Sequence, residues 1–462
     1  MELRRKSSSP SLSYSTGDLP KVGIVRRAPS SLQDHHDELP LGATVVEAFS
    51  HHGPKKWEKQ SKGFLASVAF LVFLTIMTSG NARKPRLRGG KAPFSTLSPD
   101  GHQYSFGGAK RPGYFYPKDA ILSSNEFLFA AVTDQDTASR DPSATLEKPR
   151  FKAILLPGIL KRDKQTDMYT IEFRKEREII TKHNEAGRGA EYSDLQLFDN
   201  RLLTFDDRTG TVVEILNADD GMSSTVSPRF VFTEGYGHSD KGMKWEWATV
   251  KDGELVMGSI GKELTNKDLT FKSQAGMWVV AMNSMGQTRR IDWTEEYNFV
   301  RLQLFADLPG YVVHEAVHWS DHLNKWVFLP RRISQQPYSP RTDEKLGSNK
   351  VLLVDEGFTT STTVEVNFET YKEEGGGYHG FSAFSFVPDT KDRHVLAIRS
   401  VEEGCYTDNF EDCSFRTYFC VFDIITGELL MDEVLYDAPL KFEGLEFVDM
   451  YAAPPPSIRE YL

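Results

Sequence analysis

The chain is 462 residues long, with 65 acidic and 55 basic side chains and a formal charge of −10. That length supports one large domain or two ordinary ones, and 12% aromatic residues with 35 glycines favour a β-rich, turn-rich chain over a helical one. The charge is uneven: residues 1–62 hold ten Lys or Arg against seven Asp or Glu, so the remainder carries −13, which argues against nucleic acid as a partner.

Residues 1–62, with "SSSPSLSYSTGDLP" near the start, are rich in Ser, Pro and charge and read as a disordered tail. Next comes "GFLASVAFLVFLTIMTS", Gly63–Ser79, seventeen uncharged residues between "KKWEKQSK" and "RKPRLR". This is the short end of a transmembrane helix, about 17 to 25 residues. A buried core helix is the bland alternative, and a cleaved signal peptide is disfavoured by the 62-residue leader. Basic residues flank both ends, so charge does not orient the helix. Residues 80–122 are rich in Gly, Pro and basic residues and read as a stalk. A globular region is expected over 123–449, followed by a loose end at 450–462.

Within the globular region, four stretches share one pattern: "YSDLQLFDNRLLTFDDRTG", "EWATVKDGELVMGSIGKE", "EAVHWSDHLNKWVFLPRR" and "SAFSFVPDTKDRHVLAIRS". Each is an apolar, alternating strand, a polar turn and a second apolar strand, the pattern of a hairpin. With "EGLEFV" they open at Ser193, Glu246, Glu315, Ser382 and Glu443, spaced 53, 69, 67 and 61 residues apart. Hairpins at that period, with no convincing helix, predict an all-β, five-bladed β-propeller closed by strands from both chain ends and preceded by one N-terminal transmembrane helix.

In a hairpin the start of the first strand lies beside the end of the second. The openings therefore neighbour the exits Asp206, Asp207 and Arg208, Lys262, Arg331 and Arg332, and Arg399, Glu402 and Glu403, and all converge on one end of a central tunnel. Glu246, between Trp245 and Trp247 in "KWEW", would be a buried carboxylate needing a partner. Several carboxylates with carbonyl and hydroxyl oxygens suit a hard cation, and about six to eight oxygen ligands suit calcium better than magnesium. Read one at a time, these residues have ordinary explanations: "FDDRTG" is a common turn, and a Glu at a strand start often pairs with Lys or Arg. The histidines of "VHEAVHWSDH" invite zinc, but His314 and His318 on a strand would stand about 13 Å apart.

The stretches "AVTDQDTASR", "GRGAEYSDL", "DDRTGTVVEI", "KWEWATVKDGEL", "HEAVHWSDHLNKWVFLPRRISQQPYS", "GFSAFSFVP" and "KFEGLEF", in order across 126–448, resemble the apyrase family of soluble calcium-activated nucleotidases. The resemblance implies a five-bladed propeller with one calcium in its tunnel that hydrolyses nucleoside di- and triphosphates. By position, the calcium shell would be Ser193 through its carbonyl, Asp194 directly or through water, Glu246, Glu315, Ser382 and Glu443. Arg331, Arg332, Lys241, Lys244 and Arg140 would offset phosphate charge, with Glu402 beside the substrate. One of Asp134, Asp136, Asp194 or Asp207 would orient or deprotonate the attacking water. Arg188 and Arg208 could bind substrate or pair with nearby carboxylates.

Vertebrate members of the family are type II proteins of the secretory pathway that favour UDP and GDP, and salivary members from blood-feeding arthropods remove ADP. The expected partners are thus nucleotides, a membrane through one helix and, as a further option, a second copy in a homodimer. A lumenal propeller in the Golgi or endoplasmic reticulum is the leading expectation. External ADP or ATP scavenging at the cell surface and a non-catalytic calcium-stabilised binding module are the alternatives. The segment "VEEGCYTDNFEDCSFRTYF" is longer than the corresponding family loop and could alter nucleotide preference. Cys405 and Cys413 could form a disulfide in an oxidising lumen, leaving Cys420 as a buried thiol.

Overall fold

The computed structural model describes residues 125–449 except 146, 200, 218–223, 267, 371–376 and 406–412, together with the mutually paired strands Ser95–Leu97 and Gln103–Ser105. The tail 1–62, the apolar run 63–79, most of the stalk and residues 450–462 lie outside the described residues. No helix among the described residues is long and apolar enough to cross a membrane.

Five antiparallel sheets form the five blades expected from the hairpin period. The first blade consists of Tyr192–Phe198, Arg201–Asp206, Thr211–Asn217 and Ser224–Val231, in that order from the inside outward. The second is built from Trp247–Lys251, Glu254–Gly258, Trp278–Met282 and Thr288–Asp292. The third takes Val317–Ser320, Lys325–Phe328, Lys350–Asp355 and Ser361–Glu365, and the fourth Gly380–Phe386, His394–Glu403, Ser414–Asp423 and Leu429–Leu435. The closing blade joins the two ends of the region: Phe442–Asp449 pairs with Glu126–Thr133, which pairs with Phe151–Arg162 and, beyond it, Tyr169–Phe173 and Arg177–Thr181.

Both faces of each blade are covered by neighbours, so central strands such as Glu126–Thr133 are apolar along nearly their whole length. Five apolar clusters fill the five gaps between blades. Phe205 and Trp245 sit between the first and second blades, Trp247 and Trp326 between the second and third, and Val327 and Phe384 between the third and fourth. Phe129 and Phe419 join the fourth blade to the closing one, and Val132 and Tyr192 complete the ring. Packing at the second blade is tight: a Cβ at Gly258 would lie 2.1 Å from the Trp247 ring.

Two helices depart from the sequence expectation, the shorter being Pro340–Asp343. Thr294–Gln303 is an α-helix, continuing a buried series of Trp293, Tyr297, Val300 and Leu304 spaced by four, three and four. Glu295 and Glu296 in its first turn and Arg301 in its last complement the helix dipole. Its apolar side packs Trp293 onto Trp247 and Trp326, covering the gap between the second and third blades. Cys405 and Cys413 form a disulfide, and Cys420 is a buried free thiol.

Candidate functional site

Each innermost strand begins at the same end of the tunnel. Glu246 immediately precedes Trp247–Lys251 and donates its N–H to Gly258 O at 2.9 Å, while Arg331 N donates to Val313 O at 3.0 Å beside Glu315. The hairpin openings and exits are thereby set against each other, and a cavity of about 350 Å³ lies among them. Eight carboxylates line it (Asp134, Asp136, Asp207, Glu246, Glu315, Asp343, Glu402 and Glu443) together with seven cations (Lys241, Lys244, Lys262, Lys272, Arg331, Arg332 and Lys441).

Buried charges at this density persist only when paired. Arg331 is the hub: its guanidinium holds Glu315, Glu443 at 2.6 Å and Glu402 at 3.0 Å. Lys441 reaches Asp136 at 2.7 Å, Glu443 at 3.2 Å, Glu402 at 3.4 Å and Asp134 at 3.5 Å. Lys244 binds Asp207 at 2.6 Å and also Glu246. Burial alone would raise Glu402, but Arg331, Lys441 and Arg332 outweigh it and hold its carboxyl down at about 2. Elsewhere burial wins. It pushes Glu246 up to about 7 against the pull of Lys244, and lifts Glu315 and Asp134 well above the usual carboxylate range. Negative charge from Glu443 adds to all three shifts, so these carboxylates repel one another across the cavity.

Such mutually raised oxygen donors, with no sulfur among them, fit a hard cation better than a soft one. One buried oxygen of the lining strengthens the fit, since Asp207 Oδ1 has no hydrogen-bond partner among the described residues. Lys262 is unusual among the lining cations. It is 5% exposed, lies 3.9 Å from the Tyr338 ring centroid, and has no carboxylate within ion-pair distance among the described residues.

A family model described as apyrase matches residues 135–448. The chain belongs to the apyrase family. It is 36% identical over 340 residues to an apyrase of Cimex lectularius, covering 72% of this chain and 86% of that one. It is 35% identical over 326 residues to apyrase apy-1 of Caenorhabditis elegans, covering 70% and 85%. Against soluble calcium-activated nucleotidase 1 of Rattus norvegicus it is 32% identical over 323 residues, covering 70% and 74%. The family read from the sequence stretches is therefore shown, and this apyrase is a nucleotide phosphohydrolase rather than a non-catalytic binding module.

Of the residues singled out in the apyrase sequence, Asp134, Asp136, Asp207, Lys241, Lys244, Glu246, Glu315, Arg331, Arg332, Glu402 and Glu443 line the cavity. Ser193, Asp194 and Ser382 are buried outside that lining. The Asp194 carboxylate accepts from Leu195 N at 2.7 Å and Ala248 N at 2.6 Å, tying the first inner strand to the second. Ser382 Oγ bonds Ser400 Oγ at 2.7 Å and Phe442 O at 3.0 Å. Arg188 pairs with Glu191 and, at 3.1 Å, with Asp136, so it touches the cavity only through that lining aspartate. Arg208 pairs with Glu185 at 2.7 Å, and Arg140 is exposed; neither lines the cavity. His314 and His318 face different blade gaps, against Tyr297 and Phe384 respectively, and burial lowers the former to about 3 and the latter to about 4.

Sequence reasoning did not assign Lys441, Asp343, Tyr338 or Lys272 to the site, and it noted Lys262 only as a hairpin exit. Lys441 was open to discovery, because it stands two residues before Glu443 and strand alternation puts both on one face. Tyr338 and Asp343 follow the third hairpin, Asp343 at the end of the short helix Pro340–Asp343, which is too short for a periodicity to mark it.

Proposed function

We propose that this apyrase is a calcium-dependent hydrolase of nucleoside di- and triphosphates, with UDP and GDP as the leading substrates. The observation that carries this reading is one cavity where paired lysines and arginines face glutamates from three inner strands, two of which, Glu246 and Glu315, are raised by burial. Glu246, Glu315 and Glu443 would hold calcium, supported by Ser193, Asp194 and Ser382 from the remaining inner strands. When bound, calcium would supply charge to phosphate oxygens.

The chain's own groups divide the remaining work. Lys262, already desolvated and without a carboxylate partner among the described residues, binds a terminal phosphate oxygen. Arg331 and Lys441 hold the carboxylates in place and limit their repulsion. Asp207 orients the attacking water: Lys244 occupies its Oδ2, while its buried Oδ1 has no hydrogen-bond partner among the described residues. Asp134 and Asp136 are engaged by Lys441 and Asp194 by backbone amides, which leaves Asp207 the freest of the four aspartates. Water attacks phosphorus in line and the bond to the leaving phosphate oxygen breaks, releasing inorganic phosphate.

The test is phosphate release by the full chain from UDP, GDP, ADP and ATP with calcium or magnesium. Calcium-specific turnover of UDP and GDP is expected, and equal activity after calcium chelation would reject the assignment. We place the propeller in the lumen of the secretory pathway, with residues 63–79 as a type II anchor. The Cys405–Cys413 disulfide supports an oxidising compartment. Protease digestion of the propeller in sealed microsomes, with the tail spared, would overturn that topology.

A further inference from the structure

The fourth blade brings one carboxylate to the cavity from the very end of a hairpin. Strands His394–Glu403 and Ser414–Asp423 pair down to a last rung, Glu403 opposite Ser414, and the rung before it sets Glu402 opposite Phe415. Strand alternation sends Glu402 into the cavity wall and leaves Glu403 outside it, where Arg416 holds it at 3.0 Å. The end rungs of a hairpin open at little cost unless something beyond them ties the strands together.

Just past the last rung, the Cys405–Cys413 disulfide joins the two strands. Between rung and bridge, Gly404 N donates to Glu344 Oε2 at 2.7 Å, which ties the same end to the residue that follows Asp343 of the cavity wall. What is fixed here bears on the whole cavity. Glu402 lies 3.0 Å from Arg331 and 3.4 Å from Lys441; both cations also reach Glu443, and Arg331 holds Glu315 as well. With Glu402 drawn away, those two positive charges would fall more fully on Glu315 and Glu443, and the cavity would lose one negative charge. Both changes oppose a cation bound by these glutamates.

We infer that the Cys405–Cys413 disulfide is a redox-sensitive staple that positions Glu402, so that the cavity binds its cation more tightly in the oxidised chain than in the reduced one. The inference rests on the calcium reading above and adds what regulates it. Opening the staple takes a dithiol reductant. One of its thiolates attacks Sγ of Cys413, which is partly exposed where Cys405 is buried, and the Cys405 sulfur leaves as a thiolate and takes up a proton. The second thiol of the reductant then attacks the mixed disulfide. Cys413 is released as a thiol, the reductant leaves as a cyclic disulfide, and two electrons have passed to the cysteine pair. Cys420 is fully buried and takes no part.

The test is calorimetric titration of the full chain with calcium, oxidised and after treatment with dithiothreitol, at a temperature where both forms are folded. Glu402→Gln and the double variant Cys405→Ser/Cys413→Ser are measured alongside. Reduction is expected to raise the parent's Kd for calcium about three- to tenfold, and the double variant to bind like the reduced parent. Glu402→Gln should bind weakly in either redox state, since it lacks the charge that the staple positions. A change below about threefold on reducing the parent, or a loss on reducing Glu402→Gln as large as the parent's, overturns the staple's role. An oxidised parent that binds no calcium would instead overturn the calcium reading on which it rests.

Discussion

Lys262 separates binding from structure at this site, and replacing it with methionine isolates the difference. In the parent its Nζ lies 3.9 Å from the Tyr338 centroid and 5.8 Å from that of Tyr311. Methionine keeps an apolar stem against these rings and removes only the charge. A charge-assisted bond to a phosphate oxygen is worth about 1.5 to 3 kcal/mol, so kcat/KM for UDP should fall roughly ten- to 150-fold.

Stability should not fall with it. Burial lowers the Lys262 pKa below its ordinary 10.5, so carrying the charge costs the free protein. That cost is present in full below the lowered value and disappears as pH rises toward 10.5, and the methionine variant should lack this rise in stability. Phosphate release against UDP concentration, with thermal melting of the same samples, provides the measurement. Parent-like kcat/KM, or a loss matched by a fall in melting temperature, would refute the reasoning. Arg331→Ala is the contrast: it strips a partner from three buried carboxylates at once and should cost about 3 to 5 kcal/mol of stability along with activity, with lysine restoring only part.

Glu315→Gln should weaken calcium binding and abolish phosphate release while the domain stays folded, because Arg331 keeps Glu443 and Glu402; a calcium titration that matches the parent would remove Glu315 from the shell. Glu446 lies away from the cavity, accepting from Gln196 Nε2 at 2.8 Å and Ser385 Oγ at 3.0 Å, and burial pushes it up to about 7. Its contribution is therefore complete below the ordinary 4.5 and is lost as pH rises from there to about 7, a change of about 3 kcal/mol. Glu446→Gln should flatten that decline in melting temperature between pH 5 and 7.5, to about the same extent. Gly258→Ala forces a methyl group into the Trp247 ring and should cost about 1 to 3 kcal/mol by thermal denaturation, with little loss if the ring can swing aside.

By itself the sequence determined the blades and their phase. Alternation within each hairpin and the polar residues at each turn are local properties, so the openings at Ser193, Glu246, Glu315, Ser382 and Glu443 could be found without knowing any contact between blades. The helix at Thr294–Gln303 carries an equally local signal in Trp293, Tyr297, Val300 and Leu304, but a search tuned to alternating strands passes over a period of three to four. Only the tertiary structure decided which charges are engaged. Lys441 meets Asp136 across 305 residues of chain, and Arg331 meets Glu443 across 112. Whether Asp207 or Asp194 keeps an unpartnered oxygen depends on which neighbouring strand supplies a donor. Those outcomes follow from distances between segments remote in sequence, and the residue types alone do not encode such distances.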